Sequence, residues 1–125
     1  MPMFAAFMVF PPEVPEPDPE PAARGIDRYL AWQEELRATG GLVTAAGLAP
    51  DSRVVHAGAV TNGPFTESSE MIAGYLVVEA DDLDEAAKLF LRHPIAEDGI
   101  GRFVLHEIAL TDRDSRDEHL RRFDP

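Results

Sequence analysis

The sequence contains no cysteine. Disulfides, thiolate metal sites and cysteine nucleophiles are therefore excluded. Basic residues are scarce: Lys plus Arg number 11 against 23 Asp plus Glu, a formal charge of −12. A chain this acidic is repelled by phosphate backbones and anionic lipid, so neither nucleic acid nor a membrane surface is an expected partner. No apolar run is long enough to cross a bilayer. Met3 to Phe10 is apolar. It lacks the basic flank and small-residue cleavage site of a signal peptide, and a cytoplasmic protein is expected. There is no G-x-G-x-x-G and no G-K-S or G-K-T, so a phosphate cradle has no support. Ser52, Ser68, Ser69 and Ser115 fall in loops or the tail, outside any nucleophile elbow. His56, His93, His106 and His119 show neither the i, i+4 spacing of a helical metal site nor the i, i+2 spacing of a strand site. His106-Glu107 opens like H-E-x-x-H, but Leu110 occupies the second ligand position. No metal and no cofactor is expected.

What is present is one small domain's worth of globular sequence, 125 residues with 45% apolar and 27% charged. Residues 1–110 read as an α+β domain and residues 111–125 as a charged tail, a solvated helix or frayed arm. Met3 to Phe10 reads as a strand whose two alternating sets are both apolar, which requires cover on both faces. Residues 11–21 hold six of the 11 prolines and four carboxylates. They read as an extended, solvated loop insertion, either a stiff connector or a PxxP ligand. Ala22 to Thr39 reads as a helix, with Ile26, Tyr29, Leu30, Gln33 and Leu36 on one stripe, Trp32 on its flank and Gly40-Gly41 as the stop. Leu42 to Leu48 and Arg53 to Val60 read as strands around the turn Ala49-Pro50-Asp51-Ser52. Thr61 to Met71 reads as irregular, and Ala73 to Glu79 as the next strand. Asp82 with Glu85 forms a variant capping box for a second helix. That helix carries Leu83, Ala86, Ala87, Phe90 and Leu91 at helical spacing and ends at His93-Pro94. Phe103 to Leu110 reads as the last strand.

This order gives a ferredoxin-like α+β sandwich, an antiparallel sheet with two helices on one face. The helices cover one face only, yet the first strand is apolar on both. A second copy of the chain is the expected cover, which makes a homodimer, a dimeric α+β barrel. In this layout Met3–Phe10 and Ala73–Glu79 are expected as parallel neighbours. The end of the second helix then returns to the edge where Ala73 begins, together with the Asn62-to-Phe65 loop and Thr39-Gly40.

The segment Thr61 to Glu70 is long for a hairpin link, and long ordered loops often carry function. Its bland alternative is a turn in which Phe65 plugs the core edge. Asn62, Gly63, Pro64, Phe65 and Tyr75 are the candidate substrate-binding residues. His93 and Glu67 are the candidate catalytic pair, since a His beside a carboxylate can do general acid–base work. At a helix C-terminus His93 is expected to lean toward the protonated form. Its bland alternative is a capping His on an exposed helix end. The chain thus reads either as a small-molecule enzyme or as a non-catalytic ligand-binding or protein-interaction module.

Asn62-Gly63-Pro64-Phe65-Thr66-Glu67, then Gly74-Tyr75, then Glu79 to Ala86, resemble the DGPF subgroup of the YCII-related family. Gly40-Gly41-Leu42, Gly47 to Pro50 and Phe103 to Ile108 fit the same pattern, so the resemblance spans Tyr29 to Leu110. It implies a ferredoxin-like dimer built around the sheet. Some relatives look like enzymes on small cyclic compounds, and some DGPF domains occur beside sigma-factor domains. The sequence departs from the family where a His and an Asp are expected. Asp27 to Leu30 lacks the His, His93-Pro94 replaces an Asp-Pro, and Asn62 replaces the leading Asp.

Overall fold

The structure is a computed structural model that describes residues 1–12, 16–63, 70–121 and 123. Four strands form the main sheet: β1 (Met3–Phe10), β2 (Leu42–Gly47), β5 (Met71–Glu79) and β6 (Arg102–Glu107), in the order β2-β5-β1-β6. The helices are α1 (Pro19–Ala38), α2 (Leu83–Leu89), α3 (Pro94–Glu97) and α4 (Arg116–Arg121). Strands β3 (Ser52–His56) and β4 (Ala59–Gly63) form a separate two-stranded hairpin.

Every pairing in the main sheet is antiparallel, including β1 with β5, where Phe4 faces Val78 and Phe7 faces Tyr75. The expected parallel pairing of these two strands is therefore wrong. The crossover through α1 leaves β2 running parallel to β1, and β5 pairs antiparallel with β2, so β5 runs against β1. The sandwich itself stands: it is the α+β, ferredoxin-like arrangement.

Alternation sorts the sheet residues. Phe4 and Ala6 of β1 and Leu76 and Val78 of β5 are buried, and they pack with Leu36 of α1 and with Ala86 and Phe90 of the α2 segment. The opposite face carries the cross-strand row Val104-Phe7-Tyr75-Ala46. Tyr75 and Val104 are each 37% exposed there.

Several element boundaries differ from the sequence reading: α2 ends at Leu89 rather than at His93-Pro94, β6 ends at Glu107 rather than Leu110, and three others differ for a local reason. The Pro-rich stretch does not run to residue 21, because α1 begins at Pro19, with Asp18 as its N-cap. Proline suits the first helical position, whose N–H has no intrahelical partner. The run Arg53 to Val60 is broken by Ala57 (φ 50°) and Gly58 (φ 79°). Two consecutive left-handed residues make the primed turn that joins β3 to β4. The buried stripe of α1 is rotated: Gln33 and Leu36 are buried and Trp32 is half-buried, while Ile26 and Leu30 are 57% and 52% exposed. The large Trp32 ring takes the inward position, packing on Phe90 at 5.2 Å and donating from Nε1 to the Leu89 carbonyl at 3.0 Å.

The second helix starts as its sequence dictates. The Asp82 carboxylate accepts from the Glu85 N–H at 2.8 Å. Thr39-Gly40, expected at the edge where β5 begins, lies at the other end of that strand, since the Glu79 N–H donates to the Gly41 carbonyl at 2.8 Å. The tail contains α4, with the Ser115 hydroxyl accepting from the Glu118 N–H at 3.2 Å and no buried residue.

Gly74 sits where β5 crosses β2. A Cβ there would lie 2.7 Å from the Ala46 carbonyl oxygen and 3.2 Å from the Met8 methyl carbon. Since the nearest atom is backbone, Gly74→Ala is expected to lower stability by about 1–3 kcal/mol. Urea unfolding of the variant measures it, and an unchanged midpoint would show that β2 yields freely.

Candidate functional site

Antiparallel pairing brings four chain segments to one end of the sheet. Phe10 at the end of β1 faces Met71 at the start of β5, and Val9 faces Arg102 at the start of β6. The Leu48 N–H, just past β2, donates to the Ala73 carbonyl at 2.9 Å. Between this end and the hairpin lies a hollow of about 790 Å³ lined by Phe10, Leu48, Pro50, Ser52, Val54 and Ile72, among others. Its size suits a small ligand. A second hollow of about 440 Å³ adjoins it, with Phe10 and Glu70 in both walls and Pro11, Pro12 and Ile100 on its far side. Glu70 is ion-paired with Arg102.

Gly63 is not in the lining of the larger hollow but stands against two residues that are. It pairs with Ser52, and a Cβ on it would stand 2.5 Å from Ser52 Oγ and 3.3 Å from Val54 Cγ2. Glycine at this position lets the two hollow-lining side chains lie flat against β4. Asn62 pairs with Arg53 on the hairpin and is exposed. Tyr75 lies on the open sheet face beside Phe7. Pro64, Phe65 and Glu67 lie outside the described residues.

His93 is placed quite differently from an exposed helix end. It is fully buried, on the helix side of the sheet, and lines neither hollow. Pro94 takes the first position of α3, which makes His93 the N-cap, and His93 Nδ1 accepts from the Ile95 N–H at 3.2 Å. Trp32 and Phe103 stand edge-on to the imidazole, each with ring centroid 4.6 Å away, and Tyr29 stands at 5.6 Å. Burial lowers the His93 pKa to about 4. The expected lean toward the protonated form is thus reversed, because His93 starts a helix rather than ending one and is desolvated on all sides. With Nδ1 accepting, the ring proton sits on Nε2, which has no hydrogen-bond partner among the described residues. A neutral imidazole of this kind can donate one hydrogen bond, and it is a poor base.

Sequence reasoning passed over two features. Gln33 Nε2 donates to the Tyr29 hydroxyl, a buried polar pair beside His93, and the i, i+4 spacing of the two residues was its only signal. The larger hollow was signalled only by the Ala49-to-Ser52 turn, since its walls come from three separated segments. Among the described residues no three His, Asp or Glu side chains come together as a metal site, and no helix is long and apolar enough to cross a membrane.

A family model of the YCII-related domain matches residues 3–106. The chain belongs to the YCII-related family. No curated protein matches it significantly. Among solved structures, this YCII-related chain is similar to 5-chloro-2-hydroxyhydroquinone dehydrochlorinase (TftG) from Burkholderia phenoliruptrix AC1100, solved in complex with 2,5-dihydroxybenzoquinone. The TM-score is 0.50 at 16% identity, over 90% of this chain and 99% of that one. At this identity the likeness speaks for the fold.

The state of His93 has a measurable consequence. Its folded pKa of about 4 lies below the unfolded value of 6.5, so between these pH values the unfolded chain binds the extra proton. The contribution is complete above pH 6.5 and is lost as pH falls toward 4, on the order of 3 kcal/mol in all. His93→Asn keeps a capping side chain without the titration. The stability gap between wild type and this variant, from urea unfolding at several pH values, is expected to close by that amount between pH 7 and pH 4. A gap independent of pH would mean that His93 reaches water.

Proposed function

We propose that this YCII-related chain binds a small cyclic organic molecule in the hollow beside Gly63 and acts on it by acid–base chemistry without a cofactor. The observation that carries this reading is the position of the hollow: about 790 Å³, mostly apolar, at the sheet end where the Gly63 strand stops and β5 and β6 start. The dehydrochlorinase of similar fold was solved with a small cyclic quinone, which supports the ligand class. Asn62, Gly63, Pro64, Phe65 and Tyr75 are the residues proposed to bind it. Glu67 serves as the base, and His93, which lines neither hollow, acts as a positioning group that holds α1, α3 and β6 together behind the site. The Asn62-to-Glu67 stretch assigns the chain to the DGPF subgroup in this reading. The working unit is residues 1–110, and 111–125 are an addition.

A library of small cyclic ketones and phenols, screened by thermal shift and then by turnover, tests the proposal. Glu67→Gln is expected to cut turnover by roughly 10²-fold with the fold retained, and His93→Ala to lower stability together with turnover. The closure of His93 behind its rings favours one rival, a ligand-binding module without turnover. That rival is selected if a ligand binds unchanged and both variants keep wild-type affinity.

We further propose that the protein is a cytoplasmic homodimer joined through the open sheet face, where Phe7, Val77 and Val104 lie in adjacent strands. An apolar face of this kind is an interaction surface by default. Sedimentation at micromolar concentration is expected to give twice the 13.7 kDa chain mass. Replacing Phe7 by Lys should return it to the monomer, and a wild-type monomer would refute the arrangement.

A further inference from the structure

The larger hollow has a distinct charge pattern. Phe10, Leu48, Pro50, Val54, Met71 and Ile72 supply apolar walls, and its polar side chains are Ser52, Asp51 and Glu70. Asp51 is already ion-paired with Arg53 at 2.6 Å, and Glu70 with Arg102. Neither arginine belongs to the lining of this hollow, and no lysine or histidine does among the described residues. An anion entering would meet no facing cation among the described residues, since arginines already hold both carboxylates, and it would enter against the field of a chain with net charge −12. A cation would have to compete with those arginines. Among the described residues the Ser52 hydroxyl is the one uncharged polar side chain of the lining, and Gly63 leaves it room.

We propose that this hollow selects an uncharged, ring-sized apolar molecule bearing a hydroxyl or carbonyl group, which Ser52 orients, and that it rejects the carboxylate analogue. The inference rests on the reading of the hollow as the binding site and narrows the class of ligand. Its physical basis is exclusion. Apolar walls favour any ring of suitable size, whereas an anion loses its hydration there with no cation to replace it.

Three isosteric probes test it: benzyl alcohol, benzoate and benzylammonium. Each is titrated into the full-length protein at low ionic strength, where charge effects are least screened. Methyl resonances of Leu48, Val54, Met71 and Ile72 report on the hollow. Benzyl alcohol is expected to shift them saturably, and benzoate to need about tenfold higher concentration or more. Ile72 is 57% exposed, so Ile72→Asp should fold, and it should abolish the benzyl alcohol response. Ser52→Ala should weaken benzyl alcohol binding severalfold. Benzoate or benzylammonium binding at these same methyls as tightly as benzyl alcohol would overturn the charge selection while leaving the hollow as the site. Shifts confined to other methyls, or none with any probe, would overturn both this inference and the site reading beneath it.

Discussion

β1 is hydrogen-bonded along both edges, to β5 and to β6, and carries apolar side chains on both faces. Three other features follow from that strand. Its Phe4 and Ala6 set the plane on which both packing helices settle. Its Phe7 centres the apolar row on the other face. Its end at Phe10 fixes where the starts of β5 and β6 meet, and so where the hollow opens. A strand apolar on both faces cannot be satisfied by one layer of helices. The fold therefore leaves an unfilled requirement, which the proposed dimer would meet.

The helix layer is organised around a polar group. His93 joins four segments: Tyr29 and Trp32 of α1, Phe90 after α2, Ile95 of α3 and Phe103 of β6 all touch its ring or accept its cap. Burying an imidazole costs free energy unless it stays neutral and hydrogen-bonded. Here one nitrogen is satisfied by a backbone N–H and the other faces rings. Arg28 reaches Asp98 at 2.7 Å and Glu97 at 3.3 Å, so the same segment is also tied to α1 from outside. Pairs this exposed add little stability individually. Their effect is to fix how residues 93–98 lie against α1, which keeps His93 closed in.

The surface is acidic, and much of that acidity is local in purpose. Asp82 caps α2, Asp84 and Glu85 occupy its first turn, and Glu85 pairs with Lys88 at 2.8 Å. These carboxylates favour the helix start through its dipole. The hollow shares this character, since among the described residues its lining holds no cation to attract an anionic ligand.

The sequence by itself determined what depends on near neighbours. Strand alternation in β1, the Asp82 cap and the glycine stop after α1 were legible, because each acts over a few residues. The helix starts at Pro19 and Pro94 were not, because proline breaks a helix as readily as it begins one. Only the tertiary structure decided the direction of β5 against β1, the roll of α1 that buries Trp32 in place of Leu30, and the state of His93. Pairing direction depends on how often the intervening chain reverses. Helix roll depends on which ring fits the opposite wall. A pKa depends on every group that removes water from the site. The walls of the hollow come from residues as far apart as Phe10 and Ile72. No local pattern carries that information, since it exists only once strands distant in sequence lie side by side.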